Sequence, residues 1–141
     1  MSVERNKAVA RCLFEVWGGK LGAIEELHAM DYVADYQPYA PLRRGHDALK
    51  GMVQHAHAAF PDYHEELHEM VAERDKIVVR FTITGTQLGQ WRLLPPTGKA
   101  VCFEEIVILR SLDDRVAEQR GLPDNLAALR RLGVVPTPRE E

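Results

Sequence analysis

The sequence predicts an α+β domain with a curved antiparallel sheet. Three observations carry this: helical periodicities come first, stretches of two-residue alternation follow, and one leucine-spaced helix closes the chain. Residues 4–17 read as an amphipathic helix, because Val9, Leu13, Val16 and Trp17 recur at helical spacing and Gly18-Gly19 ends the run. A shorter helix fits 22–30, with Ile24 and Leu27 inward. Tyr32 to Leu42 is aromatic and interrupted by Pro38 and Pro41, so it reads as a connector packed over something apolar. A third helix fits 46–59, with Leu49, Met52, Val53, Ala56 and Phe60 on one face and Pro61-Asp62 as its stop.

From residue 63 the period changes to two. Residues 63–72 alternate weakly, and Glu73 to Lys76 turns the chain. Ile77, Val79, Phe81 and Ile83 then alternate strictly with Val78, Arg80, Thr82 and Thr84. Pro95-Pro96-Thr97-Gly98 is a loop, 100–110 a long strand, Leu112 to Arg115 a turn and 116–121 the last strand. Leu122, Leu126, Leu129 and Leu132 mark a closing helix that Gly133 ends. One domain over 1–135 and a frayed tail over 136–141 follow. A twisted sheet curling over helices leaves an apolar cavity between them, which is the default place for a ligand.

Composition narrows the partners. Apolar residues make up 45% and charged residues 28% of the 141, a globular balance. The net charge of −3 argues against nucleic acid or an anionic membrane, either of which favours a basic patch. No 18 apolar residues run together, and the first residues are polar, unlike a signal peptide. Two distant cysteines, Cys12 and Cys102, fit a reducing cytoplasm.

The segment His64-Glu65-Glu66-Leu67-His68 matches a zinc-protease pattern that needs a helix. In a strand its two histidines lie about 13 Å apart and cannot share one ion, so it reads as a solvated strand face. His28, His46, His55 and His57 read as surface or cavity-rim residues. Trp17, Tyr32, Tyr36, Tyr39, Trp91 and Phe103 are candidates for a wall around a flat aromatic ligand, or for ordinary core. Asp124 follows Pro123 and precedes a helical run, the position of an N-cap.

Several segments share an order and spacing with one family. They are Ala59-Phe60-Pro61-Asp62-Tyr63-His64, Arg80-Phe81-Thr82 with Gly85-Thr86, Pro96-Thr97-Gly98-Lys99, Arg110 before the Asp-Asp turn, and Asp124 followed by Leu126 to Gly133. In these the chain resembles, over about 4–135, the SnoaL-like polyketide cyclases of the nuclear-transport-factor-2-like fold. The resemblance implies a cone-shaped domain with helices on the concave face of the sheet and a deep apolar pocket. It also implies cofactor-free, metal-free intramolecular aldol ring closure in an aromatic polyketide, and it matches Asp124 to the family's acid/base aspartate. Asp35 stands where the family often has a polar pocket residue. Gln119 and Arg120 replace a His-Trp pair, and Gln87 a histidine, that the family often carries. Gln54 lies near the face that closes the cone. Trp17, Asp35, Gln54, Gln87, Trp91, Phe103 and Gln119 are therefore the expected substrate contacts, with Asp124 catalytic and a homodimer expected through the exposed sheet face. The fold also hosts isomerases, epoxide hydrolases, hydroxylation helpers and binding modules. The position of the Asp124 carboxylate, inside the cavity or on the helix N-terminus, separates these readings.

Overall fold

The computed structural model describes residues 2–138. The elements in chain order are α1 (Val3–Trp17), a 3₁₀ turn (Leu21–Ala23), α2 (Ile24–Leu27), β1 (His28–Asp35), β2 (Arg43–Arg44), α3 (Gly45–Ala59), β3 (His64–Glu73), β4 (Lys76–Thr86), β5 (Ala100–Leu112), β6 (Arg115–Pro123) and α4 (Asn125–Arg131). Of the tail expected to fray, 136–138 carry no helix or strand, and 139–141 lie outside the described residues.

The six strands form one curved, unclosed sheet in the order β2-β1-β6-β5-β4-β3. Neighbours from β3 to β6 pair antiparallel, as their hairpin connections require. The β1–β6 pairing is parallel, which corrects the expectation of a wholly antiparallel sheet. The segment read as the end of a helix plus an aromatic connector is also corrected. Its middle is β1, and only the four residues of α2 before it are α-helical. Register shifts interrupt the β1–β6, β3–β4 and β5–β6 ladders. Such irregularities sharpen the local bend and twist of a sheet, and here the sheet curves around the helices.

Ser2 caps α1 by accepting from the Arg5 N–H at 3.1 Å, and Ala10, Leu13 and Val16 bury one face of the helix. Helix α1 packs on β3 and β4, and α3 packs on β1 through buried Leu49 and Val53. The opposing wall is the inward row of β4 and β5: Ile77, Val79, Phe81 and Ile83 beside Val101, Phe103, Val107 and Leu109, all buried. The closing helix begins later than its leucine spacing suggests. Leu122 lies on β6 and faces outward and Leu126 is exposed, whereas Leu132 faces the core as expected and Ala128 joins it. His28, expected at the surface or rim, is buried at the start of β1. Its Nδ1 donates to the Ile24 carbonyl at 3.1 Å, and burial lowers its pKa to about 4, so it packs as a neutral ring.

The family-like segments meet in one junction. Asp62 accepts from the Thr86 N–H at 2.6 Å and from the Thr86 hydroxyl at 2.9 Å. Gly85 lies against the Phe60 ring, where an added Cβ would stand 3.0 Å from the Phe60 Cβ. Thr97 gives both its N–H and its hydroxyl to Gln87 Oε1, at 3.2 and 2.7 Å. Phe-Pro-Asp, Gly-Thr and Pro-Thr-Gly thus fix the loop that follows β4. Among the described residues no helix is long and apolar enough to cross a membrane.

Candidate active site

Between the concave sheet and helices α1 and α3 lies a cavity of about 430 Å³. Its walls are largely aromatic and aliphatic, with Phe14, Trp17, Phe60, Trp91 and Phe103 among them. Trp91 packs edge-on to Phe60 at 5.4 Å between centroids and tilts over Phe103 at 6.4 Å, so three rings form one continuous surface.

Two carboxyl groups interrupt this wall. Along β5 every second residue from Val101 to Ser111 faces inward, and the third position of that row is Glu105. A Phe or Leu there would contribute about 1.5–3 kcal/mol by burial. A carboxyl at the same place loses hydration instead. Glu65 reaches the same cavity from β3. Burial pushes the Glu65 carboxyl up to about 7, against a lowering hydrogen bond from the Tyr63 hydroxyl. Burial pushes Glu105 up to about 8, and the nearby Glu65 charge adds to the rise. Loss of one proton from the pair thus opposes loss of the other, so between the two steps the pair holds one proton.

A directed chain of hydrogen bonds ends on Glu105. The buried Tyr32 hydroxyl donates to Gln119 Oε1 at 2.9 Å, Gln119 Nε2 donates to the Tyr36 oxygen at 2.5 Å, and the Tyr36 hydroxyl donates to Glu105 Oε2 at 3.1 Å. Both acceptors of the relay, and the Glu105 oxygen at its end, are used within the protein. This leaves Glu105 Oε1 for the cavity. Tyr36 reaches its place because the β6 residue beneath its ring is Gly121, where a Cβ would fall inside the ring.

The expected site residues divide. Trp17, Trp91, Phe103 and Gln119 line the cavity, as does Tyr36. Gln119 serves the relay rather than standing free for a substrate carbonyl. Gln87 is buried outside the cavity lining, with its amide holding Thr97 and the Pro95 carbonyl, so it braces a loop. Asp35 accepts from the Gln37 N–H at 3.1 Å and lies 3.7 Å from Arg120, outside the lining. Gln54 is exposed on the outer side of α3. Tyr39 is exposed, and Tyr32 is core beneath the relay.

Asp124 is exposed. Its Oδ1 accepts from the Ala127 N–H at 3.1 Å, while its neighbours Pro123 and Asn125 line the cavity. The geometry is that of a helix cap, an exposed carboxylate oxygen accepting from one backbone N–H. This geometry assigns Asp124 the cap and lends the acid/base expectation no support.

Glu65 and Glu105 carried a signal that the sequence reading passed over. Glu105 lies in phase with the inward Phe103 and Val107 of β5, and Glu65 lies two residues after Tyr63, which precedes β3 and also lines the cavity.

The family model for SnoaL-like polyketide cyclases matches residues 7–132. Among solved structures, AclR of Streptomyces galilaeus, described as a candidate hydroxylase, is 26% identical with a TM-score of 0.84, over 99% of this chain and 87% of that one. IdmH of Streptomyces antibioticus, described as a candidate polyketide cyclase, is 26% identical with a TM-score of 0.80, over 92% and 99%. A Catenulispora acidiphila protein described as having a ketosteroid isomerase-like fold shares that fold at 14% identity and a TM-score of 0.77, over 92% and 97%. No curated protein matches the sequence significantly.

Proposed function

The chain belongs to the SnoaL-like polyketide cyclase family, and on that premise we propose that it closes a ring in an aromatic polyketide by intramolecular aldol addition, with Glu65 as base and Glu105 as acid. The observation that carries this reading is the pair of carboxyls on a largely apolar wall, both held near neutrality by burial. Ionised Glu65 takes a proton from a carbon beside a carbonyl. The enolate carbon attacks a second carbonyl carbon of the same molecule, forming the C–C bond. The electron pair displaced onto that oxygen takes the proton of Glu105. The substrate gains and loses one proton, and the pair exchanges one proton through water at the mouth to reset.

The aromatic walls supply the remaining requirement, a folded substrate whose reacting carbons are held together. The similarity to AclR supports a second reading, a hydroxylation helper, that begins with the same deprotonation. Consumption of dioxygen separates the two. Two exposed free thiols, Cys12 and Cys102, support the cytoplasm as the place of action.

The test of the carboxyl pair is its pH profile. Turnover is expected to be bell-shaped, rising through about 7 as Glu65 ionises and falling through about 8 as Glu105 loses its proton. A profile flat from about pH 5 to about pH 9 would rule the pair out. Two copies are proposed to pair through the outer sheet face, where exposed Val78 lies opposite Ile108, and Ile106 opposite Leu122. Sedimentation is expected to show a particle of twice the chain mass, which Ile106→Lys with Ile108→Lys reduces to one. A monomeric wild-type protein at micromolar concentration would discard the pairing.

A further inference from the structure

The cavity carries a charge pattern that ring closure alone does not use. The cationic groups on its lining include two guanidinium groups, Arg43 of β2 and Arg92. His55 of α3 also lines it. Arg92 stands at the tip of a tight turn closed by paired backbone bonds between Trp91 and Leu94, at 3.0 and 2.9 Å. Its φ of 56° is a left-handed conformation that side chains other than glycine adopt at a cost. The turn sets its guanidinium 5.9 Å from the Trp91 ring centroid, with Nη1 donating to the Tyr39 carbonyl at 3.3 Å. Arg43 is half-buried on the opposite strand edge. Burial raises the pKa of the Tyr32 hydroxyl and the Arg43 charge opposes that rise, so Arg43 acts within electrostatic reach of the inner relay.

Arginines on the outer sheet face are used differently. Arg80, Arg110 and Arg120 each pair with a carboxylate. Among the described residues, no carboxylate lies within ion-pairing distance of Arg43 or Arg92. An unpaired guanidinium on an apolar cavity presents a planar donor fork that matches a carboxylate.

We propose that Arg43 and Arg92 make the cavity selective for aromatic polyketide substrates that keep a free carboxylate beside these guanidinium groups while their rings lie against the aromatic wall. The inference rests on reading the cavity as an aromatic-polyketide site, and it adds that the acid, not its ester, is the form taken. A methyl ester fills the same space but offers no charge to either arginine.

The probes are anthraquinone-2-carboxylate and its methyl ester. Binding is read from quenching of Trp17 and Trp91, the only two tryptophans of the chain, both on the cavity wall. The acid is expected to bind about tenfold more tightly than the ester, in keeping with charge-assisted hydrogen bonds, with an advantage that shrinks as salt is added. Arg43→Gln and Arg92→Asn are each expected to remove most of that advantage and leave ester binding unchanged, which also reports an intact cavity. Arg43→Lys retains part of it. Equal binding of acid and ester by the wild-type protein would overturn the inference and leave the cavity reading standing, as would variants that weaken both alike. Failure of both probes to bind would overturn the two together. The wild-type ratio decides even where a variant does not fold.

Discussion

Turnover by the Glu105→Gln protein is expected to fall by about two to four orders of magnitude, the usual worth of a positioned general acid. Gln fills the same volume and its amide oxygen still accepts from Tyr36, so the cavity and the relay survive. What is lost is the transferable proton. The same variant is expected to gain stability at alkaline pH, and the sign follows from the direction of the shift. The folded-state pKa of Glu105 is raised to about 8, above its ordinary 4.5. Between those values the folded chain binds more protons than the unfolded one, so stability declines as pH rises. The contribution is complete below about 4.5 and is lost as the pH passes through about 8. Gln cannot ionise, so thermal unfolding of the variant should show a smaller drop in Tm from about pH 6 to about pH 9. Asp124→Ala is the contrasting arm. It removes a cap worth about 0.5–2 kcal/mol and should leave turnover within a few-fold of wild type. Lost turnover in Asp124→Ala with turnover kept in Glu105→Gln would return the acid/base role to Asp124.

Gly121→Ala is expected to damage stability and chemistry together. The new methyl falls inside the Tyr36 ring, and that ring is tied by hydrogen bonds to Gln119 and Glu105, so it has no free direction in which to yield. Overpacking of this kind costs about 1–3 kcal/mol, and displacing the Tyr36 hydroxyl also leaves Glu105 without its donor. A lower Tm and a turnover loss of about tenfold or more are expected. The double variant Gly121→Ala with Tyr36→Leu should recover the part of the Tm lost to overpacking but none of the turnover, because space returns and the hydroxyl does not. Recovery of turnover in the double variant would show that Tyr36 does not act on Glu105.

Much of this architecture was legible in the sequence. Strict alternation from Ile77 to Ile83, and the long run of β5, gave strands in the right phase, because packing on one face of a sheet imposes a period of two. Strand β1 was not legible. Its partner β6 lies more than 80 residues away, and its apolar residues follow directly on a true helical turn. Trp17, Trp91 and Phe103, expected as aromatic wall, and Gln119, expected as a polar contact, line the cavity. Glu105 was hidden by its neighbour, because Glu104-Glu105 looks like a solvated charge pair until the inward phase from Val101 to Leu109 is counted. Glu65 was hidden by the histidines around it, which drew attention to metal chemistry and then to a solvated face. Asp124 is conspicuous in sequence because caps have strong residue preferences, and the structure shows the cap itself.

The junction of Asp62, Thr86, Gln87 and Thr97 bears on inheritance. These side chains are engaged with one another, through bonds between Asp62 and Thr86 and between Gln87 and Thr97. None of the four lines the cavity. Apart from Phe60, which lines the cavity, the residues of the motifs that meet here and the residues of the cavity are separate sets. A descendant can exchange Glu65, Glu105 or Arg43 and change what it makes while Phe-Pro-Asp, Gly-Thr and Pro-Thr-Gly pass on intact. The signature by which the lineage is recognised records a shared ancestor's framework, and the trade practised inside that framework is free to drift.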